Sequence, residues 1–242
     1  MEFHHICVIG LGYIGLPTAS MFAAKGVRVT GVDNNTHVID SLQHGKVHIF
    51  EPGLNEVVKE ALDMHTLEVA SRPVEADAFI IAVPTPFHDD KKADLSYVRS
   101  AAEAIVPVLR PGNLVVLEST SPPLTTREVV QPMLELSWLA ACSDFLLAYS
   151  HERVLPGQIM NELVENARVI GGIDEASAQA GRDLYRIIVK GEIVLTDATT
   201  SEMVKLMENT YRDVNIAIAM EFSRLADRFG VKLVEAVSSK EA

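Results

Sequence analysis

The sequence predicts an α/β fold, with a doubly wound, mostly parallel sheet followed by a long C-terminal helix. Continuous apolar runs, such as residues 6–9 and 78–83, are typical of strands that are buried on both faces of a parallel sheet. Segments of helical spacing separate these runs. Residues 199–229 contain no Pro or Gly and repeat apolar residues at helical spacing, which predicts a final helix of roughly 45 Å.

The first apolar run leads into VIGLGYIGLPTA, in which Gly10, Gly12 and Gly15 form a G-x-G-x-x-G pattern before a helix-forming stretch. In such a turn the first glycine permits a sharp bend, the second lets the backbone approach a pyrophosphate, and the third lets helix and strand pack closely. The pyrophosphate then lies at the helix N-terminus, where free N–H groups favour an anion. This pattern predicts a Rossmann-type dinucleotide site.

A carboxylate follows the second apolar run, residues 27–32, at Asp33. A carboxylate at this position accepts hydrogen bonds from the adenosine ribose hydroxyls and repels a 2′-phosphate, so it selects NAD over NADP. Asn34 and Asn35 follow, and no arginine stands directly after the strand to pair with a phosphate. The prediction is therefore NAD, and the alternative is an acidic residue that merely caps the turn.

The remaining elements alternate as a doubly wound sheet requires. Helices are predicted at 36–43, 54–62, 95–109, 125–134 and 175–189, and strands at 66–71, 78–83, 113–117, 145–149, 167–170 and 193–195. Two strands end in polar, proline-containing segments, PTP and ESTSPP, at the carboxyl edge where ligands of open α/β sheets bind. Thr120 in the second segment is well placed for a nicotinamide or a substrate hydroxyl, unless it is a helix cap.

Composition narrows the class of partner. The 242 residues carry a formal net charge of −12, which argues against a nucleic-acid partner or an anionic membrane surface. No signal peptide is visible and no stretch approaches the about 20 apolar residues of a membrane span. The two cysteines, Cys7 and Cys142, form no disulfide framework, so we expect a cytoplasmic protein.

Candidate catalytic groups lie late in the chain. Lys205, Asn209 and Arg212 share one face of the long helix, where they could stabilise an oxyanion and clamp an anionic group, unless that face is simply solvated. Glu152 and Arg153 directly follow a strand, and the alternative for them is a structural ion pair.

Neither cysteine is expected to be a nucleophile. Cys7 lies inside the first strand, and Cys142 has no basic neighbour in the sequence to lower its pKa. The eight histidines show no ligand-like spacing, so no metal site is predicted.

Several motifs together resemble the NAD-dependent nucleotide-sugar 6-dehydrogenases, also called the UDP-glucose/GDP-mannose dehydrogenase family. They are GLGYIGLP, GVDNN, HIFEPGL, IAVPTPF, ESTSPP, ERVLPGQ, RVIGG and EMVKLMENTYRDVNIA. The resemblance covers nearly the whole chain and is greatest to the branch that acts on UDP-N-acetylmannosamine, with UDP-N-acetylglucosamine enzymes close by. It implies oxidation of the sugar C6 alcohol to a carboxylate in two steps with two NAD, for surface polysaccharide synthesis.

The resemblance also implies roles for individual residues. A lysine and an asparagine stabilise oxyanions, while a cysteine carries a thiohemiacetal and then a thioester whose hydrolysis involves a glutamate. By motif, the NAD contacts would be Tyr13, Ile14, Asp33, Thr85 and Thr120. Glu152 would be the acid/base residue, Arg153 and Val154 would line the sugar site, and Lys205, Asn209 and Arg212 would serve catalysis and substrate binding.

The chain also departs from the family pattern. The family's cysteine lies in a G-G-H-C segment downstream of the long helix, beyond the last residue here. We therefore expect an NAD-binding domain at 1–198, a dimerisation helix at 199–230 that gives a homodimer, and a tail at 231–242, with the C-terminal nucleotide-sugar domain absent. Residues 134–145 are fewer than in the family, and His151 replaces a proline before Glu152.

Two other functions stay open on sequence grounds. A β-hydroxyacid-type dehydrogenase also pairs a Rossmann unit with a lysine and an asparagine one turn apart, and it needs one hydride transfer and no thiol. A NAD-binding module without turnover is the second. The sequence also leaves the hexosamine epimer undecided.

Overall fold

The computed structural model describes residues 1–231 and contains one eight-stranded sheet of order β3-β2-β1-β4-β5-β6-β7-β8. The strands are His5–Ile9 (β1), Arg28–Val32 (β2), Leu67–Ala70 (β3), Ala78–Ile81 (β4), Leu114–Leu117 (β5), Leu146–Ser150 (β6), Arg168–Gly172 (β7) and Ile193–Asp197 (β8). Only the β6–β7 pair is antiparallel within these strands. The predicted Rossmann-type, mostly parallel sheet is confirmed.

Helices connect the strands. They are Gly15–Ala24 (α1), Thr36–Gln43 (α2), Leu54–Asp63 (α3), Ser96–Ile105 (α4), Gln131–Leu134 (α5), Ile159–Glu165 (α6), Glu175–Tyr185 (α7) and Ala198–Phe229 (α8). Among residues 1–231, no helix combines the length and the apolar character that a membrane crossing requires.

The central strands are buried on both faces, as their continuous apolar runs predict. In β1, Ile6 and Val8 belong to a core that also contains residues of α1, α3 and α7. Cys7 and Ile9 point the other way, into a core shared with α4 and α5. Successive strand residues face opposite sides, so one run of four apolar residues supplies both cores.

Prolines change the backbone hydrogen bonding of two predicted helices. The helix predicted at 95–109 is α-helical only to Ile105, and Val106–Val108 forms a 3₁₀ turn around Pro107, which cannot donate a backbone hydrogen bond. In the helix predicted at 125–134, Thr126–Val130 forms a wider π turn just before Pro132. Both departures from regular α-helical hydrogen bonding lie beside a proline, which lacks an N–H.

One further boundary and one whole helix differ from the sequence prediction. The helix predicted to reach residue 189 ends at Tyr185, after which Ile188 N–H donates to Tyr185 O in a tighter turn, at 3.0 Å. The short helix α6 is an element that the sequence reading left out.

The chain divides into two compact units, Met1–Met203 and one that begins at Val204. The first unit contains the whole sheet. The domain boundaries predicted at residues 198 and 230 stay predictions, and all but one residue of the predicted tail lies outside the described residues.

Candidate active site

The glycine-rich turn joins β1 to α1. Gly10 has φ +94°, and a Cβ at Gly15 would lie 1.8 Å from the carbonyl oxygen of Gly10, so a larger residue would separate strand and helix. A Cβ at Gly12 would meet no atom within 4 Å, because this part of the backbone borders open space. Ile14, the N-cap residue of α1, makes no side-chain capping bond. The turn thus presents backbone and a helix N-terminus to a cleft.

Asp33 lies at the end of β2, and its carboxylate is fixed by backbone donors. Leu11 N–H donates to Asp33 Oδ2 at 2.9 Å, and Asn35 N–H donates to Asp33 Oδ1 at 2.9 Å. The side chain therefore joins the glycine-rich turn to the end of β2 while remaining half-exposed. A carboxylate held in this way is ready to accept hydrogen bonds from a ribose.

A cleft of ≈ 820 Å³ borders this turn. Its lining includes Gly10, Gly12, Tyr13, Ile14, Asp33, Asn34, Arg72, Val83, Pro84 and Tyr97. The volume is typical of cofactor sites. The open backbone at Gly12, the uncapped start of α1 and the oriented carboxylate fit a dinucleotide with its pyrophosphate at the helix N-terminus and its ribose on Asp33.

Arg72 is a lining residue that sequence reasoning missed. It follows β3, which pairs with β2, so Arg72 lies on the same rim of the cleft as Asp33. No arginine follows β2 directly in the sequence, and Arg72 lies about 40 positions beyond Asp33. The position of Arg72 directly after the predicted strand at 66–71 could have indicated this role, because the carboxyl ends of adjacent parallel strands meet at one edge of the sheet.

Thr85 and Thr120 meet at the carboxyl edge of the sheet. Thr85 Oγ1 donates to Thr120 O at 2.6 Å, and Ser119 Oγ donates to Val83 O at 2.7 Å. These bonds join the segments that follow β4 and β5. The alternative that Thr120 caps the next helix is wrong, because the N-cap of that helical segment is Thr125.

A buried charged network underlies this edge. Arg168 Nη1 donates to Glu118 Oε1 at 2.9 Å and to Ser150 Oγ at 3.2 Å, and Tyr185 Oη donates to Glu118 Oε1 at 3.2 Å. Burial raises the pKa of the Glu118 carboxyl, and the Arg168 guanidinium opposes that rise. Glu118 directly follows β5 and Ser150 ends β6, so the network connects the strands that lead to Thr120 and Glu152.

Glu152 and Arg153 lie in the segment after β6. Val154 N–H donates to Glu152 Oε2 at 2.8 Å, and the side-chain amide of Asn166 donates to the carbonyl of Arg153. Val154 is buried in a small apolar cluster against which Ile14 packs. The structure therefore brings a predicted sugar-site residue, Val154, into the apolar cluster against which the predicted NAD residue Ile14 packs.

His151, which stands where the family pattern has a proline, is completely buried. Its ring centroid lies 6.1 Å from that of Tyr149. The imidazole thus occupies interior space directly before Glu152.

A second buried carboxylate, Glu202, binds the residues that directly follow the ESTSPP segment. Glu202 accepts hydrogen bonds from Leu124 N–H at 2.6 Å, Thr126 N–H at 2.7 Å and Thr126 Oγ1 at 2.6 Å. Burial raises its pKa, while the Thr126 hydrogen bonds act in the opposite direction. Sequence reasoning missed this residue, since nothing in the local pattern indicates a partner about 76 positions away.

The three polar residues of the long helix lie on α8 in the unit that begins at Val204. Lys205 is 5% exposed, Asn209 is half-buried and Arg212 is exposed. Their common helical face is as predicted, and their catalytic and substrate-binding roles stay predictions.

Neither cysteine is placed as a reactive thiolate. Burial raises the pKa of Cys7 to about 11. Cys142 is exposed, and partial burial together with Asp174 raises its pKa. Arg127, which is distant from Cys142 in the sequence, acts to lower the pKa of Cys142 without reversing the shift.

Residues 1–231 contain no group of three or more His, Cys, Asp and Glu side chains that could hold a metal ion.

Comparison with known proteins supports the resemblance. The NAD binding domain model of the UDP-glucose/GDP-mannose dehydrogenase family matches residues 4–189, and the model of that family's central domain matches residues 199–240. The predicted cofactor, NAD, is confirmed by the first match.

Individual relatives agree. A UDP-N-acetyl-D-mannosamine dehydrogenase of Methanococcus maripaludis is 50% identical over 240 residues, covering 98% of this chain and 54% of the relative. An NDP-N-acetyl-D-galactosaminuronic acid dehydrogenase of Ralstonia nicotianae is 46% identical over 251 residues, covering 98% of this chain and 58% of the relative. The solved UDP-D-ManNAc dehydrogenase of Pyrococcus horikoshii superimposes with a TM-score of 0.92 at 47% identity, covering 97% and 56%.

The chain spans about half the length of the curated relatives it matches. The two family models together account for most of its residues, from the glycine-rich turn to the long helix. The chain belongs to the UDP-glucose/GDP-mannose dehydrogenase family.

Proposed function

We propose that this chain supplies the cofactor site and part of the catalytic machinery of an enzyme that oxidises the C6 hydroxyl of a UDP-N-acetylhexosamine. The observation that carries the proposal is the continuous carboxyl edge of the sheet. There the dinucleotide cleft, the joined Thr85 and Thr120 segments and the Glu152–Arg153 segment follow neighbouring strands. Ligands of open α/β sheets bind at this edge.

NAD bound in this cleft would supply the acceptor for the hydride that leaves C6. Asp33 holds the adenosine ribose and the start of α1 holds the pyrophosphate, which directs the other end of the cofactor along the sheet edge. Thr85 and Thr120 then contact the cofactor near the reacting carbon. Their mutual hydrogen bond of 2.6 Å limits the movement of both segments.

Lys205 and Asn209 act on the developing alkoxide. Oxidation of the alcohol would transfer the proton on oxygen to a base, the role predicted for Glu152, and the hydride on carbon to NAD, so a positive or donating group beside that oxygen lowers the barrier. Lys205 supplies the charge and Asn209 supplies a neutral donor one helical turn later. Arg153 and Arg212 supply positive charge for the nucleotide sugar, in a chain whose formal net charge is −12.

The second oxidation, from aldehyde to acid, requires a thiol that adds to the aldehyde so that a second hydride can leave. The raised pKa values of Cys7 and Cys142 make both poor thiolates. We therefore propose that the residues described here carry the first oxidation, with Glu152 placed to take part in hydrolysis of a thioester.

The sugar is proposed to be N-acetylmannosamine. A relative at 50% identity and a solved structure at 47% identity both carry that substrate in their names. A relative at 46% identity is named for N-acetylgalactosaminuronic acid, so the epimer has to be tested directly.

The first test mixes this chain with NAD and UDP-N-acetylmannosamine and follows NADH at 340 nm together with the sugar product by mass spectrometry. The proposal predicts NADH with the aldehyde. Formation of NADH together with the uronic acid would contradict the proposal that neither Cys7 nor Cys142 is the reacting thiol. Binding of NAD without any NADH from this sugar or its epimers would instead identify a cofactor-binding module.

We also propose a homodimer that forms through α8, with domains at 1–198 and 199–230, in the cytoplasm. The second unit exposes apolar side chains along this helix, including Val214, Ile218 and Phe222, each at least 50% exposed. A second copy would cover such a surface. A monomeric mass by light scattering would contradict the dimer, and Ile218→Glu is predicted to convert a dimer to a monomer.

A further inference from the structure

Glu51 is a buried acidic residue that the proposed reaction does not use. It belongs to the HIFEPG segment between α2 and α3 and is 5% exposed. Both of its carboxylate oxygens are occupied by backbone donors from a distant part of the chain. Gly157 N–H donates to Oε2 and Ile159 N–H donates to Oε1, each at 2.8 Å.

A tight turn presents this carboxylate. Leu54 N–H donates to Glu51 O at 3.2 Å, and Gly53 between them has φ +78°. Proline at the second position and a glycine of positive φ at the third are the signature of a type II turn. The sequence EPGL therefore fixes the backbone of Glu51 and directs its side chain inward.

The backbone that donates hydrogen bonds to Glu51 belongs to a second proline-glycine turn and to the residues after it. Gln158 N–H donates to Leu155 O at 3.0 Å, and Gly157 has φ +90°. This turn, LPGQ, ends the segment that carries Glu152 and Arg153 and leads directly into α6.

Glu51 also replaces a missing helix cap. Gln158, the N-cap residue of α6, makes no side-chain capping bond, and Glu51 accepts the N–H of Ile159, the first residue of the helix. A carboxylate at this position satisfies an orphan donor and interacts favourably with the helix dipole. The start of α6 is therefore held by a residue about 108 positions away.

We infer that Glu51 is a positioning residue that holds the segment from Glu152 to Gln158 in the geometry needed for the nucleotide sugar. Carboxylates hold this segment at three points: Glu152 binds Val154 N–H, Glu162 binds Leu155 N–H at 2.6 Å, and Glu51 binds its C-terminal turn. Glu51 is the one of the three that reaches it from another part of the fold. The inference rests on the proposed function for the role of Arg153.

The test uses Glu51→Gln, which keeps the shape but can accept only one of the two N–H groups. The probe is trypsin, because Arg153 is exposed and is followed by Val154. Loss of a hydrogen bond between residue 51 and the backbone at Gly157 or Ile159 should raise the rate of cleavage after Arg153 about ten-fold. Backbone amide exchange at Gly157 and Ile159 should rise in parallel. Glu51→Asp, which retains the charge, should give an intermediate rate.

Asp77→Asn is the matched control. Asp77 also accepts two backbone N–H groups, from His4 at 2.7 Å and His5 at 2.8 Å, but it precedes β4 at the opposite edge of the sheet. It should therefore change overall stability without exposing Arg153. This control separates a local effect of Glu51 from general loosening of the fold.

Kinetics then test the link to the reaction. For Glu51→Gln, the NAD dissociation constant should stay within about two-fold of wild type, while kcat/KM for UDP-N-acetylmannosamine falls about ten-fold. Unchanged cleavage at Arg153 would overturn the hold of Glu51 on the segment. Increased cleavage with unchanged kcat/KM would overturn its role in the reaction. A wild-type chain that binds NAD but forms no NADH would overturn the proposed function, and the cleavage rates would still decide whether Glu51 holds the segment.

Discussion

Arg168 and Glu118 form an ion pair in the interior of the sheet, with Arg168 Nη1 at 2.9 Å from Glu118 Oε1 and both side chains at most 4% exposed. The guanidinium also lies over the ring of Tyr185, with Cζ at 4.2 Å from the centroid. Loss of one partner would leave the other charge buried. We predict that Arg168→Met lowers the free energy of unfolding by about 3–5 kcal/mol.

The double variant Glu118→Gln, Arg168→Met checks the reason for that loss. It removes both charges, so it should be less destabilised than Arg168→Met alone. Urea unfolding followed by circular dichroism measures the wild-type chain, Arg168→Met, Glu118→Gln and the double variant. A double variant whose loss equals the sum of the two single losses would contradict the coupling.

Asp33 is predicted to control the choice of cofactor. Asp33→Asn removes the charge that binds the ribose hydroxyls and repels a 2′-phosphate, so NAD affinity should fall about 10- to 100-fold, while NADP affinity falls less or rises. Calorimetric titration with both cofactors gives the ratio. Asp40→Asn, on an exposed site of α2, is the control and should leave the ratio unchanged.

Arg72 lies on the rim of the cleft beside this ribose site, and its exposed guanidinium can stack on the face of the adenine. Arg72→Ala should therefore weaken NAD binding about two- to five-fold, the range of an exposed cation–π contact. Arg99→Ala is the comparison, because Arg99 is exposed on α4 and does not line the cleft. Equal effects of the two substitutions in the same titration would rule out a specific contact of Arg72.

Lys205 is predicted to stabilise the alkoxide in the proposed first oxidation. Lys205→Met should lower the rate of NADH formation about 10²- to 10³-fold with little change in NAD affinity. Stopped-flow absorbance at 340 nm measures the rate. Lys190→Met removes an exposed lysine of the first unit and should keep the wild-type rate; a comparable loss there would point to a general charge effect.

His5 should make stability depend on pH. Burial, aided by the positive charge of Arg28, lowers the pKa of His5 below its ordinary value of 6.5, although Asp77 and Glu68 act in the other direction. The unfolded chain therefore binds more protons than the folded chain as the pH falls below about 6.5, and the free energy of unfolding should decrease over that interval.

Chemical unfolding at several pH values between 5 and 7 checks this effect in His5→Asn, which should show a shallower dependence than wild type. Thr30→Val is the comparison, since it removes the partner 2.9 Å from His5 Nε2 but keeps the imidazole. If the free energy of unfolding of His5→Asn depends on pH as steeply as that of the wild type, groups other than His5 cause the dependence.

Much of the fold was predictable, because its causes are local. The alternating burial of Ile6, Cys7, Val8 and Ile9 follows from strand geometry, and the glycine-rich turn follows from the close approach of Gly15 to Gly10. The helix α2 begins and ends where its periodicity predicts. The 3₁₀ turn at Pro107 and the π turn before Pro132 were harder to predict, since a proline removes one hydrogen bond but does not specify whether a wider or a tighter turn replaces the α-helical one.

The sequence by itself determined the strand and helix pattern of a mostly parallel sheet, the dinucleotide turn and the carboxylate at Asp33, because each is indicated by residues that are close in the chain. Only the tertiary structure decided which distant residues meet. Arg72 reaches the rim of the cleft because β3 pairs with β2, and Glu51 binds the Gly157 turn because the two segments pack together. Such contacts depend on how elements pack around the sheet, and no local pattern of apolar and polar residues encodes that arrangement.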